Sequence, residues 1–391
     1  MSVTAAKGFR AAGVAAGLKD SGGPDVALVV NDGPDATAAG VFTRNRVKAA
    51  PVLWSRQVLR GGVLRAVVLN SGGANACTGS AGFQDTHATA EYVAAALRRP
   101  GVARLMLGAG DVAVCSTGLI GQRLPMPKLF AGVDAAVRAL SREGGQAAAE
   151  AIMTTDTRPK TAVVTGDGWT VGGMAKGAGM LAPSLATMLC VLTTDAVVDS
   201  SMLDVALRDA VDHTFERLDS DGCTSTNDTV LLMASGASGI TPTPDELTAA
   251  VTEACRDLVR QLLADAEGST KDIAVEVTGA ASEADAVEVG RAVARNNLVK
   301  TALFGNDPNW GRILAAVGTT DAAFEPDAVD VAVNGVWVCR GGAAAEDRAK
   351  VDLSGRDVSI VIDLAAGTAG ATILTNDLSL AYVHENSAYS T

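Results

Sequence analysis

Histidine is scarce in this sequence: His87, His213 and His384 are the three among 391 residues. None of them accompanies a serine in a GxSxG turn, which disfavours a Ser-His-Asp hydrolase. HExxH motifs, closely spaced Cys/His pairs and DxDxDG loops are also missing, so no metal site is predicted. Without a Walker A sequence, nucleotide hydrolysis is disfavoured as well. The sequence therefore favours chemistry that does not need a histidine base.

Long apolar runs and clusters of basic residues are missing too. The longest apolar stretch, around 180–192, is interrupted by Pro183 and is too short to span a bilayer. The amino terminus is broken by glycines and makes a poor signal-peptide core. The net charge is −12, and no run of Lys and Arg offsets it. We therefore expect the chain to bind neither nucleic acid nor a membrane.

Closely paired cysteines are a third absence. The six cysteines lie far apart and form no CxxC motif, at positions Cys77, Cys115, Cys190, Cys223, Cys255 and Cys339. A chain of this length buries a core large enough to need no disulfide framework, and free thiols suit a reducing compartment. We therefore expect a cytoplasmic protein.

Short apolar runs alternate with helical patterns along the chain. This alternation predicts mixed α/β layers, with a smaller α+β domain at about 270–391. Among the predicted strands are 50–54 (APVLW) and the tail segment 380–390. Residues 172–186 are typical of a glycine-rich loop, and a buried strand is predicted to follow from about Thr187.

Two further local patterns are a helix-capping motif and a short match to a phosphate-binding loop. A capping box at 243–246 predicts a helix that ends at Glu267 and Gly268. Arg10 begins a stretch, RAAGVA, that matches the RxxGxA pyrophosphate loop of common acetyl-CoA transferases. Because no strand is predicted before it, a chance match is the favoured explanation.

The pair Ala186-Thr187 permits self-cleavage of the backbone. The Thr187 hydroxyl would attack the Ala186 carbonyl, and water would open the resulting ester. Scission frees an α-amine beside the hydroxyl, and an α-amine with a pKa of about 7.7–8.0 serves as a general base near neutral pH. Such a site needs no histidine. The pattern alone leaves a second explanation open, in which Thr187 merely begins a strand.

Six blocks in order along the chain resemble the ornithine acetyltransferase family, also called bifunctional glutamate N-acetyltransferases. These blocks are 115–121 (CSTGLIG), 151–156 (AIMTTD), 174–188 (MAKGAGMLAPSLATM), 225–229 (STNDT), 298–312 and 385–391 (ENSAYST). The sequence departs from the family pattern at 220–224 and 294–297, where it affects no catalytic position.

The resemblance implies a self-processing, N-terminal-nucleophile-like core. Cleavage after Ala186 would give an α chain of residues 1–186 and a β chain of residues 187–391, with Thr187 as nucleophile. Thr117, through its hydroxyl, and Gly118, through its backbone N–H, match the oxyanion-hole pair of the family. Such preorganised donors stabilise a tetrahedral intermediate.

Six positions match the family's substrate contacts: Thr154, Lys176, Thr187, Glu267, Asn386 and Thr391. Two of them also have a physical rationale. A lone lysine in a glycine-rich segment can pair with a substrate carboxylate. A carboxylate at a helix carboxyl terminus opposes the helix dipole, so Glu267 suits a role in binding an ammonium group. Thr155 adjoins Thr154, and an assignment shifted by one residue is an alternative.

The implied reaction is a ping-pong acetyl transfer. Thr187 takes the acetyl group from N2-acetylornithine and releases ornithine, and glutamate then accepts the group as N-acetylglutamate. No cofactor is predicted, and the use of acetyl-CoA as a co-substrate stays open. An α2β2 heterotetramer is implied by the resemblance. Two alternatives are a self-processing aminopeptidase or amidase, with water as acyl acceptor, and a non-catalytic α/β binding protein.

Overall fold

The computed structural model describes residues 2–102, 106–179 and 188–388, which are organised around three β-sheets. The strands are β1 (Phe9–Val14), β2 (Val26–Asn31), β3 (Thr37–Phe42), β4 (Ala66–Ser71), β5 (Val112–Thr117), β6 (Lys160–Thr165), β7 (Thr170–Lys176), β8 (Leu189–Thr194), β9 (Thr229–Ala234), β10 (Asp272–Ala280), β11 (Asp330–Val333), β12 (Val336–Arg340), β13 (Ala343–Ala344), β14 (Asp357–Asp363) and β15 (Ala369–Asn376). The helices are α1 (Ala50–Val58), α2 (Gly79–Leu97), α3 (Met126–Ala139), α4 (Gly145–Ala151), α5 (Ser200–Asp212), α6 (Pro244–Ala264), α7 (Glu283–Ala294), α8 (Asn297–Phe304), α9 (Trp310–Val317) and α10 (Leu380–Ala388). Across these described ranges, none of the helices is long and apolar enough to cross a membrane.

Two of the sheets pack face to face at the centre of the molecule. A four-stranded sheet has the order β1-β2-β4-β5, and a five-stranded sheet has the order β3-β9-β8-β7-β6. Buried side chains from both sheets, such as Val29, Leu69 and Met174, fill the space between them. Helices α2 and α3 cover the outer face of the first sheet, and α5 and α6 cover that of the second. This α-β-β-α layering confirms the predicted mixed α/β fold class.

The third sheet has a core of its own. Its strand order is β13-β12-β11-β14-β10-β15, and helices α7, α8 and α9 contribute to the same core. Fully buried aliphatic side chains such as Val277, Ile360 and Ile362 form its centre. Strand β15 also contacts the central layers, because Leu374 pairs with Leu218 and packs against the core beneath α5 and α6.

The strand predicted at 50–54 is wrong, because these residues begin helix α1. A five-residue apolar run fits a buried helix segment as well as a strand. Pro51 occupies the first turn of the helix, where a missing N–H costs nothing. The Trp54 indole N–H donates to the Val112 carbonyl at 3.0 Å, which anchors the helix against β5.

The loop predicted at 172–186 is wrong in its first part, because β7 continues as a regular strand through Lys176. Its glycines serve close packing. A Cβ on Gly172 would lie 2.3 Å from the Ser2 carbonyl oxygen, and one on Gly173 would lie 2.8 Å from the Leu192 side chain. The strand start predicted at Thr187 lies outside the described residues, and β8 is described from Leu189.

The carboxyl-terminal segment also differs from its prediction, since the described part of 380–390 forms helix α10. The Ser379 hydroxyl accepts the Tyr382 N–H at 2.9 Å and thereby caps the helix. The alternating apolar pattern of the segment had concealed this capping signal.

Helix α6 ends at Ala264, so Glu267 lies in the turn beyond it. The helix end predicted at Glu267 and Gly268 is therefore wrong: the C-cap is Asp265, and Gly268, with a φ of +60°, shapes the turn that follows instead of stopping the helix. Its missing side chain lets α10 approach, because a Cβ there would lie 2.2 Å from the Tyr382 nitrogen.

The RxxGxA match at Arg10 falls within strand β1, which pairs antiparallel with β2. Its guanidinium Nε lies 2.5 Å from the Asp32 carboxylate. A paired strand whose arginine already binds an acid has no loop geometry for a pyrophosphate, in line with a chance match.

Candidate active site

A single cavity gathers every described residue to which the sequence analysis assigned a role. Those residues are Thr117, Gly118, Thr154, Lys176, Glu267 and Asn386. The remaining residues of its lining are Ala74, Ile120, Thr155, Gly179, Ser225, Thr226 and Asn227. The other predicted positions, Ala186, Thr187 and Thr391, lie outside the described residues.

Thr117 and Gly118 lie at the carboxyl end of β5, where the strand turns sharply. Gly118 has a φ of +124°, a conformation that residues with side chains rarely adopt. The Thr117 carbonyl accepts two backbone N–H groups, from Gly72 and Gly73, each at 3.0 Å. Asn227 fixes the same strand end, because its Nδ2 donates to the Ser116 carbonyl at 2.8 Å. The turn is therefore rigid, as a preorganised oxyanion site requires.

Lys176 ends strand β7 and brings a buried positive charge into the cavity. Its side chain is about 1% exposed, and its Nζ lies 3.5 Å from the Thr117 hydroxyl. Burial lowers the pKa of the Lys176 ammonium, and the nearby Asp156 carboxylate acts in the opposite direction. A buried cation next to the oxyanion turn is suited to binding a carboxylate group of a small ligand.

A buried cluster of Asp156, Lys160 and Asp265 joins the segments that carry the predicted contacts. Lys160 Nζ lies 2.6 Å from a carboxylate oxygen of each aspartate. Asp156 also accepts the backbone N–H of Thr154 at 3.0 Å and that of Gly177 at 2.7 Å. Burial acts to raise the pKa of Asp156, but Lys176 and Lys160 bring it below its ordinary value. One charged cluster thus fixes the segment around Thr154, the end of β7 and the turn after α6.

Glu267 and the neighbouring threonines form the acidic side of the cavity. The Thr155 hydroxyl donates to the Glu267 carboxylate at 2.7 Å, whereas Thr154 is held through its backbone N–H. Both threonines line the cavity, so the structure places Thr155 alongside the predicted Thr154. Asn386 lies on the exposed helix α10, where its Nδ2 donates to the Tyr382 carbonyl at 3.0 Å.

Asp228 is fully buried immediately beyond the cavity lining. Its Oδ1 accepts the backbone N–H of Met188 at 3.0 Å, and Met188 directly follows Thr187 in the chain. Within the described residues, its Oδ2 has no hydrogen-bond partner. Burial raises the pKa of the Asp228 carboxyl well above its ordinary value. The carboxyl therefore anchors the first described residue after the predicted cleavage point.

Sequence reasoning did not single out the supporting residues of this site. Asp156, Asn227 and Asp228 lie within blocks that resemble the family, but no sequence pattern assigned a function to them. Lys160 and Asp265 belong to no motif, and no spacing in the sequence relates them. Among the described residues, no group of three or more His, Cys, Asp and Glu side chains is arranged to hold a metal ion. Opposite charges on two sides of one cavity suit a zwitterionic ligand of amino-acid type.

Comparison with known proteins identifies the family of this chain. The profile of the ArgJ family matches residues 10–391. The arginine biosynthesis bifunctional protein ArgJ of Thermobifida fusca is 66% identical over 391 residues, and the protein of that name from Streptomyces avermitilis is 68% identical over 390, with complete coverage of both chains in each case. A solved structure of ornithine acetyltransferase from Mycobacterium tuberculosis, in complex with ornithine, is 68% identical and covers 46% of this chain and 94% of its own, with a TM-score of 0.45.

These matches confirm the resemblance that six sequence blocks had indicated. The profile matches nearly the whole chain, and the full-length relatives are about two-thirds identical to it. Together these matches establish the family of the chain. The chain belongs to the ArgJ family, the bifunctional acetyltransferases of arginine biosynthesis.

Proposed function

We propose that this chain cleaves itself between Ala186 and Thr187 and then transfers an acetyl group from N2-acetylornithine to glutamate. The observation that supports this most is the single cavity in which an oxyanion turn, a buried lysine and a carboxylate meet. These groups come from three separate segments of the chain, which carry Thr117, Lys176 and Glu267. The names of its relatives, which include an ornithine acetyltransferase solved with ornithine, point to the same reaction.

The acetyl transfer proceeds in two balanced half-reactions. The Thr187 oxygen attacks the amide carbon of N2-acetylornithine while the α-amine of Thr187 accepts the hydroxyl proton. The Thr117 hydroxyl and the Gly118 N–H stabilise the oxyanion. The carbon–nitrogen bond then breaks, the proton passes to the departing amine, and ornithine leaves. The amine of glutamate attacks the acetyl ester in the same way, which regenerates the Thr187 hydroxyl and releases N-acetylglutamate.

Different residues around the cavity are suited to recognising different groups of the two substrates. Both substrates carry an α-carboxylate, which Lys176 is placed to bind. N2-acetylornithine also carries a side-chain ammonium, which the Glu267 carboxylate suits, whereas glutamate carries a second carboxylate there. The Thr155 hydroxyl orients Glu267 by donating to its Oε1 at 2.7 Å.

The acyl acceptor distinguishes this function from a self-processing aminopeptidase or amidase. We expect ornithine release from N2-acetylornithine to rise at least ~10-fold when glutamate is added, because glutamate is a better nucleophile toward the buried ester than water. Chromatography of ornithine and N-acetylglutamate, with and without glutamate, measures both products. Ornithine release at the same rate without glutamate would assign the chain to the hydrolases.

The variant Glu267→Gln tests the ammonium contact. Glutamine keeps an oxygen that accepts the Thr155 hydroxyl, but it removes the negative charge. We expect the KM for N2-acetylornithine to rise by roughly 10-fold, since a charged hydrogen bond contributes about 1.5–3 kcal/mol. The KM for glutamate should stay the same or fall. Steady-state kinetics with each substrate varied in turn measure the two values, and an equal rise in both would contradict the assignment.

We further propose an α2β2 assembly and a cytoplasmic location. The six cysteines are all free thiols, and four of them are buried, which suits a reducing compartment. Burial alone raises the pKa of Cys115 to about 12, so this thiol is unreactive. Sedimentation of the cleaved protein, compared with the masses of its two fragments, tests the assembly.

A further inference from the structure

Among the described residues that line the active-site cavity, Ile120 is the one with a large apolar side chain. The other side chains of this lining carry hydroxyl, amide or charged groups, or belong to glycine and alanine. Ile120 is 42% exposed, although isoleucine is one of the residues most often buried. Ala74, the alanine of the lining, is itself buried in a small core with Ala49, Val52 and Ala76. Ile120 is therefore the main apolar surface that the described part of the cavity offers to a ligand.

Backbone hydrogen bonds hold Ile120 in place on both sides. The Ala74 N–H donates to the Leu119 carbonyl at 2.9 Å. The Gly121 N–H donates to the Ala76 carbonyl, also at 2.9 Å. These groups belong to the two peptide units that flank Ile120, so its Cα cannot move away from the cavity without losing one of the bonds. The side chain is therefore held in a constant position relative to the oxyanion turn that precedes it.

The acyl carbon of the proposed donor carries three groups, and the cavity accounts for two of them. The carbonyl oxygen faces Thr117 and Gly118, as the proposed function requires. The amino acid on the nitrogen extends toward Lys176 and Glu267, which suit its carboxylate and its ammonium. The third group is the alkyl part of the acyl group, which lies in the plane of the carbonyl and points away from the other two. Ile120 follows Gly118 on the same turn and is the apolar side chain left to meet this group.

Contact between the alkyl group and Ile120 is favourable for both partners. An exposed isoleucine and an acetyl methyl group each keep apolar surface in water, and their contact removes part of that surface from water. Polar side chains elsewhere in the lining offer an alkyl group no comparable gain, because covering them would cost them their contact with water. The same contact sets a limit on size, since a longer alkyl chain would have to enter the space that the Ile120 side chain occupies.

We infer that Ile120 selects the acyl group that this chain transfers and limits it to acetyl. The inference rests on the proposed function and deepens it, because it names the residue that discriminates between acyl groups. A site that fits its ligand closely discriminates against one added methylene by roughly 10–200-fold. We therefore expect N2-propionylornithine to be a poorer donor than N2-acetylornithine by a factor in that range.

Shortening Ile120 should move the preference of the cleaved enzyme toward longer acyl groups. Ile120→Ala reduces the side chain to a methyl group. The kcat/KM for N2-propionylornithine, divided by that for N2-acetylornithine, should rise at least ~10-fold over the wild type. Ile120→Val removes a single methylene and should raise the same ratio by less. The KM for glutamate should not change, because glutamate brings no acyl group. Chromatography of ornithine, N-acetylglutamate and N-propionylglutamate measures these values.

Ile240→Ala is the matched control for this substitution. Ile240 is 41% exposed and lies between β9 and α6, away from the cavity lining. The control therefore removes the same atoms at the same degree of exposure, and it should leave the preference between acyl groups unchanged. A second control varies the amino acid of the donor. N2-acetyllysine has a side chain longer by one methylene, and its kcat/KM relative to N2-acetylornithine should be the same in Ile120→Ala as in the wild type.

Three results would overturn the inference. The first is a propionyl-to-acetyl ratio that Ile120→Ala leaves unchanged, and the second is a ratio that Ile240→Ala raises equally. The third is a change in the ratio of N2-acetyllysine to N2-acetylornithine alone, which would place Ile120 against the amino-acid side chain of the donor.

Nitrophenyl esters separate this failure from a failure of the proposed function. p-Nitrophenyl acetate and p-nitrophenyl butyrate acylate a nucleophile without any recognition of ornithine, and the release of p-nitrophenol measures the rate. If the wild type takes no acetyl group from N2-acetylornithine, the proposed function fails. A shift toward the butyrate ester in Ile120→Ala would then still support the assigned role of Ile120, and the absence of that shift would refute it.

Discussion

Replacing Thr187 with alanine should give one uncut chain of 391 residues that transfers no measurable acetyl. Alanine has no hydroxyl to attack the Ala186 carbonyl, so the backbone stays intact and no α-amine is released. The same change removes the nucleophile of both half-reactions. We expect kcat to fall by roughly 10⁶-fold, the effect of removing a hydrolase nucleophile. Denaturing electrophoresis and a transfer assay on the same sample measure the two consequences together.

Thr187→Ser is the matched control for that experiment, because serine keeps a hydroxyl at the same place. It should still divide into fragments of 186 and 205 residues, more slowly, and it should retain part of the activity. Amino-terminal sequencing of the wild type should find Thr187 at the start of the larger, 205-residue fragment. An active wild type with only the original amino terminus would contradict self-cleavage, as would transfer by uncut Thr187→Ala.

The chemistry-bearing residues at the ends of strands were the most predictable part of this molecule. Thr117 and Gly118 follow a buried apolar run, and that local pattern alone fits an ordinary turn at the end of a strand; the resemblance of their block to a family is what singled them out. Lys176 was also identified, but within a predicted loop. The glycines that suggested this loop lie where close neighbours leave no room for a side chain, Gly172 against the Ser2 carbonyl and Gly173 against Leu192 of the adjacent strand. A sequence shows where glycine occurs and does not show which neighbour requires it.

Contacts between distant segments were the least predictable part. Lys160 and Asp265 are 105 residues apart, and only the packing of α6 against β6 brings them to 2.6 Å. Residue types at these positions have no local signature, because each works only through a partner that the fold supplies. Sequence reasoning therefore found the groups predicted to touch substrate and missed those that hold them in place.

The turn at Gly118 should tolerate no side chain. A Cβ there would lie 2.5 Å from the Gly73 nitrogen and 2.8 Å from the Gly72 carbonyl carbon, both of them backbone atoms that cannot move aside freely. The Gly118→Ala variant must therefore displace the 72–73 segment, whose two N–H groups bind the Thr117 carbonyl. Because the oxyanion donors move with this turn, kcat should fall by about 10²–10³-fold, the effect of losing one such donor.

Gly121→Ala separates this steric clash from the strain of a positive φ. Gly121 has a φ of +85°, but a Cβ there meets no atom within 4 Å. Alanine at Gly121 should cost about 1–2 kcal/mol of folding free energy from backbone strain and leave kcat nearly unchanged. Thermal unfolding and transfer kinetics on both variants, beside the wild type, give the comparison. A Gly118→Ala enzyme with the kcat of Gly121→Ala would show that the β5 turn does not carry the oxyanion site, because a donor displaced by a backbone clash cannot keep its catalytic contribution.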